Sequence, residues 1–143
     1  MLNKTELGLA YMATTYRVYL PAGVIDLRIG ELNDALGRWL KAEGATTYAI
    51  ISGFNPNNSL ATAEQNAEYQ SQLECMLIEG NYEPYTGENR PDVADAPLEE
   101  SCFVADIELE DAVALAEEFG QNAIVFGRVN DAPGLIWNEH TES

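Results

Sequence analysis

Hydrophobic and polar residues alternate in two short segments near the start of the chain, residues 16–20 and 24–29. Such alternation is typical of β-strands with one buried face, and the turn Pro21-Ala22-Gly23 between the segments predicts a hairpin. One face of the hairpin would carry the side chains of Tyr16, Val18, Leu20, Ile25, Leu27 and Ile29. The other face would carry those of Arg17, Tyr19, Asp26 and Arg28.

A helical period replaces the alternation in three longer segments. Residues 31–43 place an apolar stripe on one side of a helix that ends at Gly44. The stripe consists of Leu32, Ala35, Leu36, Trp39 and Leu40. A capping box predicts a second helix from Thr62 to about residue 78, and Asp106 is the predicted N-cap of a third over residues 107–119. A short helix over residues 5–12, capped by Thr5, is also predicted.

The remaining apolar segments predict further strands. Residues 46–52 are apolar and β-branched almost throughout, which is typical of a strand covered on both faces. Shorter strands are predicted at residues 81–85, 102–105, 122–128 and 135–137. Between residues 85 and 97, prolines and a glycine predict a long loop that is either mobile or functional.

This order of elements indicates an α+β or α/β fold. We expect a mixed β-sheet of about five to seven strands, packed with three main helices as a single-domain sandwich. The domain would span residues 1–143, and residues 138–143 would form a disordered tail. In a mixed sheet, loops at the carboxyl ends of parallel strands form the natural ligand crevice.

The loop at residues 53–59 joins the buried strand to the longest helix. A helix N-terminus presents free N–H groups, so such a loop can hold an anion or a polar ligand. This loop lacks the closely spaced glycines and the following lysine of a phosphate-binding loop. Asn66 lies on the inward stripe of the helix, where a buried amide must be hydrogen-bonded, and we expect it to brace Asn55 or a loop carbonyl.

The net charge of −17 on 143 residues narrows the range of partners. Nucleic acid and anionic membranes need clustered basic residues, so neither is expected. The charge can serve solubility or salt adaptation, or it can form a docking face for a protein with a basic surface, including by mimicry of nucleic acid. No leader segment and no membrane-spanning run is evident, and Cys75 and Cys102 match no zinc or redox spacing, which favours a cytoplasmic protein.

Few residues of the chain suit common catalytic chemistry. His140 is the single histidine and lies in the polar tail, which argues against histidine-based catalysis and histidine metal sites. No metal site and no cofactor is expected; clusters of Asp and Glu oxygens suit Mg²⁺ or Ca²⁺, but no EF-hand spacing is present. Arg17 and Arg28 lie on one face of the hairpin, where they either pair with Asp26 across the strands or offer a cationic site to an anionic ligand group.

Several separated segments carry a family resemblance: AYMATTY at 10–16, LRIG at 27–30, GFNP at 53–56, EQN at 64–66, EES at 99–101, FGQNAIV at 119–125 and LIW at 135–137. The chain resembles the bacterial family catalogued as domain of unknown function 3293. The resemblance covers nearly the whole chain and implies no activity, cofactor or substrate. The polar residues that fit the family pattern are Asn55, Asn66, Glu100, Ser101, Gln121 and Asn122. They would either cap backbone groups or converge in a polar pocket.

Two functions remain open, and the sequence does not indicate an oligomeric state. The favoured one is a non-catalytic binding or regulatory domain that engages a protein partner through its acidic surface. The alternative is a small-molecule binding domain or an enzyme, with a pocket at the sheet edge formed by Asn55, Asn66, Glu100, Ser101, Gln121 and Asn122. Arg17 or Arg28 would hold an anionic group there, and Glu100 would be the acid/base candidate.

Overall fold

A computed structural model describes residues 3–138, with Asn58 described by its backbone alone. Within this range the elements are α1 (Lys4–Met12), β1 (Thr14–Leu20), β2 (Gly23–Leu27), α2 (Asp34–Glu43), β3 (Thr47–Ile51), α3 (Ala63–Glu79), β4 (Pro84–Pro91), β5 (Glu99–Ala105), α4 (Leu109–Glu118), β6 (Ala123–Arg128) and β7 (Gly134–Trp137). A single 3₁₀ turn, Pro56–Asn58, interrupts the loop between β3 and α3. The α+β class and the predicted number of strands are confirmed.

The strands form one sheet in the order β2-β1-β4-β5-β3-β6-β7, and all of its pairings are antiparallel. The expected mixed pairing, with a crevice at the ends of adjacent parallel strands, is therefore wrong. The reason lies in the helical crossovers. Helix α3 connects β3 to β4, but β5 lies between them; α4 connects β5 to β6, but β3 lies between them. Each crossover thus joins strands that run in the same direction without being neighbours.

The two faces of the sheet carry separate apolar clusters. Helices α3 and α4 cover one face, where Leu73 and Leu77 of α3 meet Ala112 and Ala116 of α4. Helix α2 covers the other face through Leu36 and Leu40. Strand β3 contributes to both clusters, as its continuous apolar run predicts. The β1–β2 hairpin has its predicted apolar face on the α2 side, with Tyr16, Val18, Leu20 and Leu27 buried.

Strand β4 replaces the greater part of the predicted long loop. It pairs with β1 on one side and with β5 on the other. Pro84 and Pro91 occupy its first and last positions, where a missing N–H is tolerated. Gly87 lies opposite Ser101, and a Cβ at this position would lie 2.6 Å from Ser101 Oγ and 2.8 Å from the Arg17 carbonyl oxygen. The prolines therefore mark the ends of β4, and the glycine allows its close packing against β1 and β5.

Several predicted element ends also need correction. Helix α1 is capped by Asn3 instead of Thr5. Helix α2 begins at Asp34 with Asn33 as its cap, which leaves Leu32 outside the helix and exposed. The fourth helix begins at Leu109 with Glu108 as N-cap. Asp106 has φ of 58°, whereas an N-cap has extended backbone.

Asn138, predicted as the first residue of a disordered tail, is instead held in the fold. Asn138 is buried, its N–H donates to the Asn122 carbonyl at 2.8 Å, and its side chain donates to the Gln121 carbonyl. Residues 139–143, His140 among them, lie outside the described residues. Within residues 3–138, no helix combines the length and the apolar character that a membrane span requires.

Candidate functional site

A cavity of about 790 Å³ opens beside the N-terminal helix at one end of strands β1, β4 and β5. Its wall combines apolar and aromatic side chains with hydroxyl, amide and carboxyl groups. The lining comprises Leu7, Ala10, Tyr11, Thr14, Tyr16, Phe54, Asn55, Asn57, Ser59, Leu60, Asn89, Pro91, Ala96, Pro97, Glu99, Gly120, Gln121 and Asn122. A volume of this size suits a small organic molecule.

Three residues of the lining stand in a row across adjacent strands. Tyr16 of β1 is paired with Asn89 of β4, and Asn89 is paired with Glu99 of β5. Directly opposed residues of antiparallel strands point to the same face with their Cβ atoms about 4.5–5.5 Å apart. The sheet therefore presents an aromatic ring, an amide and a carboxyl group side by side along one wall of the cavity.

Glu99 is the acidic residue of the cavity, and it is partly buried. Burial raises the pKa of its carboxyl group above the ordinary value of 4.5, and a hydrogen bond from Asn55 lowers it in part. Asn55 Nδ2 donates this bond to Glu99 Oε2 at 2.9 Å. Among the described lining residues there is no lysine, arginine or histidine that could neutralise the carboxylate.

The loop after β3 owes its shape to asparagines in left-handed conformations. Asn55 has φ of 49° and Asn57 has φ of 59°, values that asparagine tolerates better than most residues. The Asn55 N–H donates to Asn66 Oδ1 at 2.8 Å, while Asn66 Nδ2 donates to Asn55 Oδ1 at 3.1 Å. The predicted bracing by Asn66 is thus confirmed. The N–H of Ala61 also donates to Asn55 Oδ1, at 3.0 Å.

A second corner, just after α4, closes against this loop. The N–H of Asn57 donates to the Gly120 carbonyl at 2.9 Å. Gly120 has φ of +60°, and a Cβ there would lie 2.8 Å from the Asn57 nitrogen, so both conformation and space require glycine. Gln121 Nε2 donates to the Phe54 carbonyl at 3.0 Å and to the Phe119 carbonyl at 3.1 Å. These bonds fix the loop as one rim of the cavity.

Two tyrosines tie α1 to the same wall. The side chain of Tyr11 is hydrogen-bonded to that of Asn122, and burial raises the pKa of Tyr11 to about 12. The hydroxyl of Tyr16 donates to the Tyr11 carbonyl at 3.1 Å, and burial also raises the pKa of Tyr16. The ring of Tyr11 packs edge-on against Trp137, with ring centroids 5.8 Å apart. Both phenols are therefore neutral at physiological pH.

The structure brings together only some of the residues predicted for a pocket. Asn55, Gln121 and Asn122 line the cavity, and Asn66 lies behind Asn55 as a buried brace. Ser101 is 1% exposed, and in the described part of the chain its hydroxyl oxygen has no hydrogen-bond partner. It shares a face with Glu99 but lies deeper in the sheet.

Glu100 does not line the cavity. Successive side chains of a strand point to opposite faces, so Glu99 faces the cavity and Glu100 points to the α3–α4 side, where it is exposed. Glu100, the acid/base candidate from the sequence, is therefore outside the cavity, and Glu99 is the carboxyl group inside it.

Neither predicted arginine lines the cavity, and each is engaged by a carboxylate elsewhere. Arg17 Nε and Nη2 donate to the two carboxylate oxygens of Asp26 at 2.8 and 3.1 Å, the cross-strand pairing that the sequence left open. Arg28 makes a two-point contact with Asp92, at 2.9 Å for both bonds, instead of pairing with Asp26. It also donates to Thr15 Oγ1 and to the Met12 carbonyl, each at 3.0 Å.

Sequence reasoning missed Glu99, Asn89 and the two tyrosines as wall residues. A signal for Glu99 was present, because Glu99, Ser101 and Phe103 alternate with Glu100, Cys102 and Val104 once the strand is extended by three residues. No comparable signal marks Asn89, whose position depends on the long-range pairing of β4 with β1 and β5.

Comparison with known proteins gives one finding. The sequence model of the family described as "Protein of unknown function (DUF3293)" matches residues 51–124, just over half of the chain. The match includes the loop after β3, Asn89, Glu99 and Gln121, whereas Tyr11 and Tyr16 precede it. No curated protein and no solved structure matches the chain.

Proposed function

The chain belongs to the DUF3293 family, and since that description assigns no activity, we propose from the cavity that the protein is a small-molecule-binding domain. The observation that carries this proposal is the convergence of chain-distant polar groups on one cavity. Tyr16, Asn55, Asn89, Glu99 and Gln121 come from five different strands and loops and line the same space of about 790 Å³. Sites of this kind combine a mostly apolar wall with a few placed polar groups.

Hydrogen bonds within the cavity wall give the strongest support for the proposed ligand binding. The loop after β3 is held by Asn66, by Gln121 and by Gly120, so its left-handed asparagines are fixed before any ligand arrives. A preorganised wall reduces the entropy that binding must offset. The proposal does not extend to catalysis, since the described lining holds one carboxyl group and no histidine, cysteine or lysine beside it.

A fragment library screened by thermal shift and by protein-observed NMR tests the proposal. A bound ligand stabilises the native state by mass action. Ala10→Trp would obstruct the cavity, since Ala10 lines it from α1 and is exposed, while Leu9→Trp adds the same group outside it. We expect ligands that stabilise wild type and Leu9→Trp but not Ala10→Trp. Ligands indifferent to both substitutions, or no ligand at all, would contradict the proposal.

A second function is favoured by the distribution of charge: docking of a protein with a basic surface. Helices α3 and α4 cover one face of the sheet and contain no lysine or arginine. Their acidic residues are Glu64, Glu68, Glu74, Glu79, Glu110, Asp111, Glu117 and Glu118. Helix α2, on the opposite face, carries both Arg38 and Lys41. Acidic charge concentrated on α3 and α4 gives a partner an orientation as well as attraction.

Crosslinked capture from a lysate at low and at high ionic strength tests this second function. The variant Glu110→Gln/Glu117→Gln/Glu118→Gln removes three charges from the α3–α4 face. Its control, Glu31→Gln/Asp34→Asn/Glu43→Gln, removes three charges from around α2. We expect capture to fall at high salt and with the first variant only. Capture that survives high salt unchanged, or that falls equally with both variants, would count against an acidic docking face.

We also propose a cytosolic location. Cys75 is exposed and Cys102 is buried, and both are free thiols, a state that a reducing compartment maintains. Fractionation of cells that produce the full-length protein would test this proposal, and recovery with membranes or outside the cell would contradict it.

A further inference from the structure

The donors of the cavity wall are largely engaged within the protein. Thr14 Oγ1 donates to the Ala10 carbonyl at 2.8 Å, and the Tyr16 hydroxyl donates to the Tyr11 carbonyl at 3.1 Å. Asn55 Nδ2 donates to Glu99, and Gln121 Nε2 donates to two backbone carbonyls. Asn57 and Ser59 also carry donors, but their side chains lie in the exposed part of the loop. Asn122 is hydrogen-bonded to the side chain of Tyr11, which leaves the amide nitrogen of Asn89 as a donor without a bond among the described residues. A ligand that needs more donors than this one would have to break the contacts above.

Acceptors, in contrast, remain available in the same wall. Among the described residues, the carboxylate of Glu99 receives one side-chain hydrogen bond, from Asn55. The side-chain oxygen of Asn89, directly across from Glu99 on β4, is buried and has no partner within residues 3–138. A buried acceptor without a partner costs free energy, and a donor brought between these two side chains would relieve that cost. The wall therefore favours a ligand that donates hydrogen bonds.

The charge of the site selects among such ligands. No lysine, arginine or histidine is found among the described residues of the lining, and the chain as a whole carries a net charge of −17. An anion entering the cavity would be repelled by Glu99 and by the protein's field, whereas a cation would be attracted by both. Tyr11 and Phe54 also line the cavity, and aromatic rings attract cations.

From the surplus of acceptors and the absence of cationic side chains, we infer that the cavity binds an organic cation. Its primary ammonium group pairs with the carboxylate of Glu99 beside Asn89, and its apolar part lies against Phe54 and Leu60. An ammonium group supplies three donors and one positive charge, which this wall lacks. The inference rests on the proposed small-molecule function and specifies its ligand class.

Three probes that share a phenyl group but differ in the polar group separate the possible ligand classes. They are 2-phenylethylamine, 2-phenylethanol and 3-phenylpropanoate, each followed by thermal shift and by titration calorimetry with the full-length protein. We expect the amine alone to stabilise wild type. Glu99→Gln should weaken its binding by about tenfold or more, because it removes a charge-assisted hydrogen bond.

Glu100→Gln is the matched control, since it removes the same charge one residue away on the opposite face and should leave binding of the amine unchanged. Ala10→Trp should abolish binding of the amine by filling the cavity, although Glu99 is unchanged in this variant. Equal responses to Glu99→Gln and Glu100→Gln, or no stabilisation by the amine, would overturn the inference. Library ligands that Ala10→Trp displaces and that are neutral or anionic would overturn it while leaving the small-molecule function standing. If Ala10→Trp displaces no ligand of the library, the small-molecule function and the inference are both overturned.

Discussion

The direction of a single side chain, that of Glu99, decides which carboxyl group lines the cavity. The chain offers two adjacent glutamates at the start of β5, and the pleat sends one into the cavity and the other to solvent. Their chemistry is the same in the unfolded chain and differs only after folding. Glu100 therefore serves as an internal control for every effect ascribed to Glu99.

We expect Glu99→Gln to change how the free energy of unfolding depends on pH. Burial raises the pKa of Glu99 in the folded protein, so above pH 4.5 the native state retains a proton that the unfolded state has lost. Stability then falls as pH rises through the raised pKa. The nearby phenols of Tyr11 and Tyr16 stay neutral in this range, since burial raises the pKa of both.

Urea denaturation between pH 4 and pH 8 measures this effect. The stability of Glu99→Gln relative to wild type should increase with pH, and it should increase more than that of Glu100→Gln. Parallel curves for the two variants would show that burial of Glu99 has no energetic consequence.

Asn55 combines two roles that a second pair of variants can separate. Asn55→Ala loses the contacts with Asn66, Ala61 and Glu99 and places alanine in a left-handed conformation. Asn57→Ala incurs the conformational cost, about 1–2 kcal/mol, at an exposed side chain. At about 1 kcal/mol for each lost hydrogen bond, Asn55→Ala should be less stable than Asn57→Ala by about 2–3 kcal/mol. Equal losses in chemical denaturation would mean that the side-chain bonds of Asn55 contribute little.

At the level of single residues, the sequence predicts local roles and fails on distant ones. The inward position of Asn66 follows from helical spacing, and its need for a partner follows from burial, so its bracing role could be predicted. Glu100 fits the family pattern but does not line the cavity. The predicted strand begins at residue 102, three residues after the start of β5, and so leaves out the alternation that points to Glu99. Asn89 could not be found, since only pairing with distant strands gives it a place in the cavity.

Strand β4 is the element on which sequence and structure differ most. Its prolines and glycine predict a loop when only local preferences are considered. In the folded sheet the prolines lie at the ends, and the glycine lets β4 approach both Arg17 of β1 and Ser101 of β5. The helices and the central strand β3 were predictable because their periodicity is local, and β4 was not because its stability comes from two neighbours.

We expect Gly87→Ala to destabilise the sheet strongly, by about 1–3 kcal/mol or more, as overpacking does. A Cβ at this position would lie 2.8 Å from the backbone oxygen of Arg17, which cannot move without disturbing β1. Gly37→Ala is the control, because Gly37 lies inside α2 with nothing within 4 Å of its Cβ position. That change should stabilise the protein by about 0.5–1 kcal/mol. A neutral Gly87→Ala in thermal denaturation would contradict the close packing of β4.

For the molecule as a whole, the net charge of −17 acts against compaction. Self-repulsion among the acids of α3 and α4 destabilises the folded state, and salt screens it. Glu117 and Glu118 also lie in the last turn of α4, where a negative charge opposes the helix dipole.

Added NaCl should therefore raise the midpoint of urea denaturation. Between about 0.01 M and about 1 M salt, the screening length falls from about 30 Å to about 3 Å. We expect the acidic residues of α3 and α4 to be the main source of repulsion. The rise of the urea midpoint should then be smaller in the α4 variant Glu110→Gln/Glu117→Gln/Glu118→Gln than in the α2 variant Glu31→Gln/Asp34→Asn/Glu43→Gln. Equal rises would assign the repulsion to the surface in general.

The pairing of β1 with β4 also bears on how the protein folds. Thr14 pairs with Pro91, so these strands meet only after a loop of about half the chain has closed. Local units such as the β1–β2 hairpin and α3 can form much earlier. Sheets dominated by distant pairings fold on the order of milliseconds to seconds. Because Tyr16 joins Asn89 and Glu99 only at that closure, the cavity wall stays incomplete until β1 and β4 have paired. A newly made chain cannot complete the cavity before Asn122, the last residue of the lining, has been synthesised.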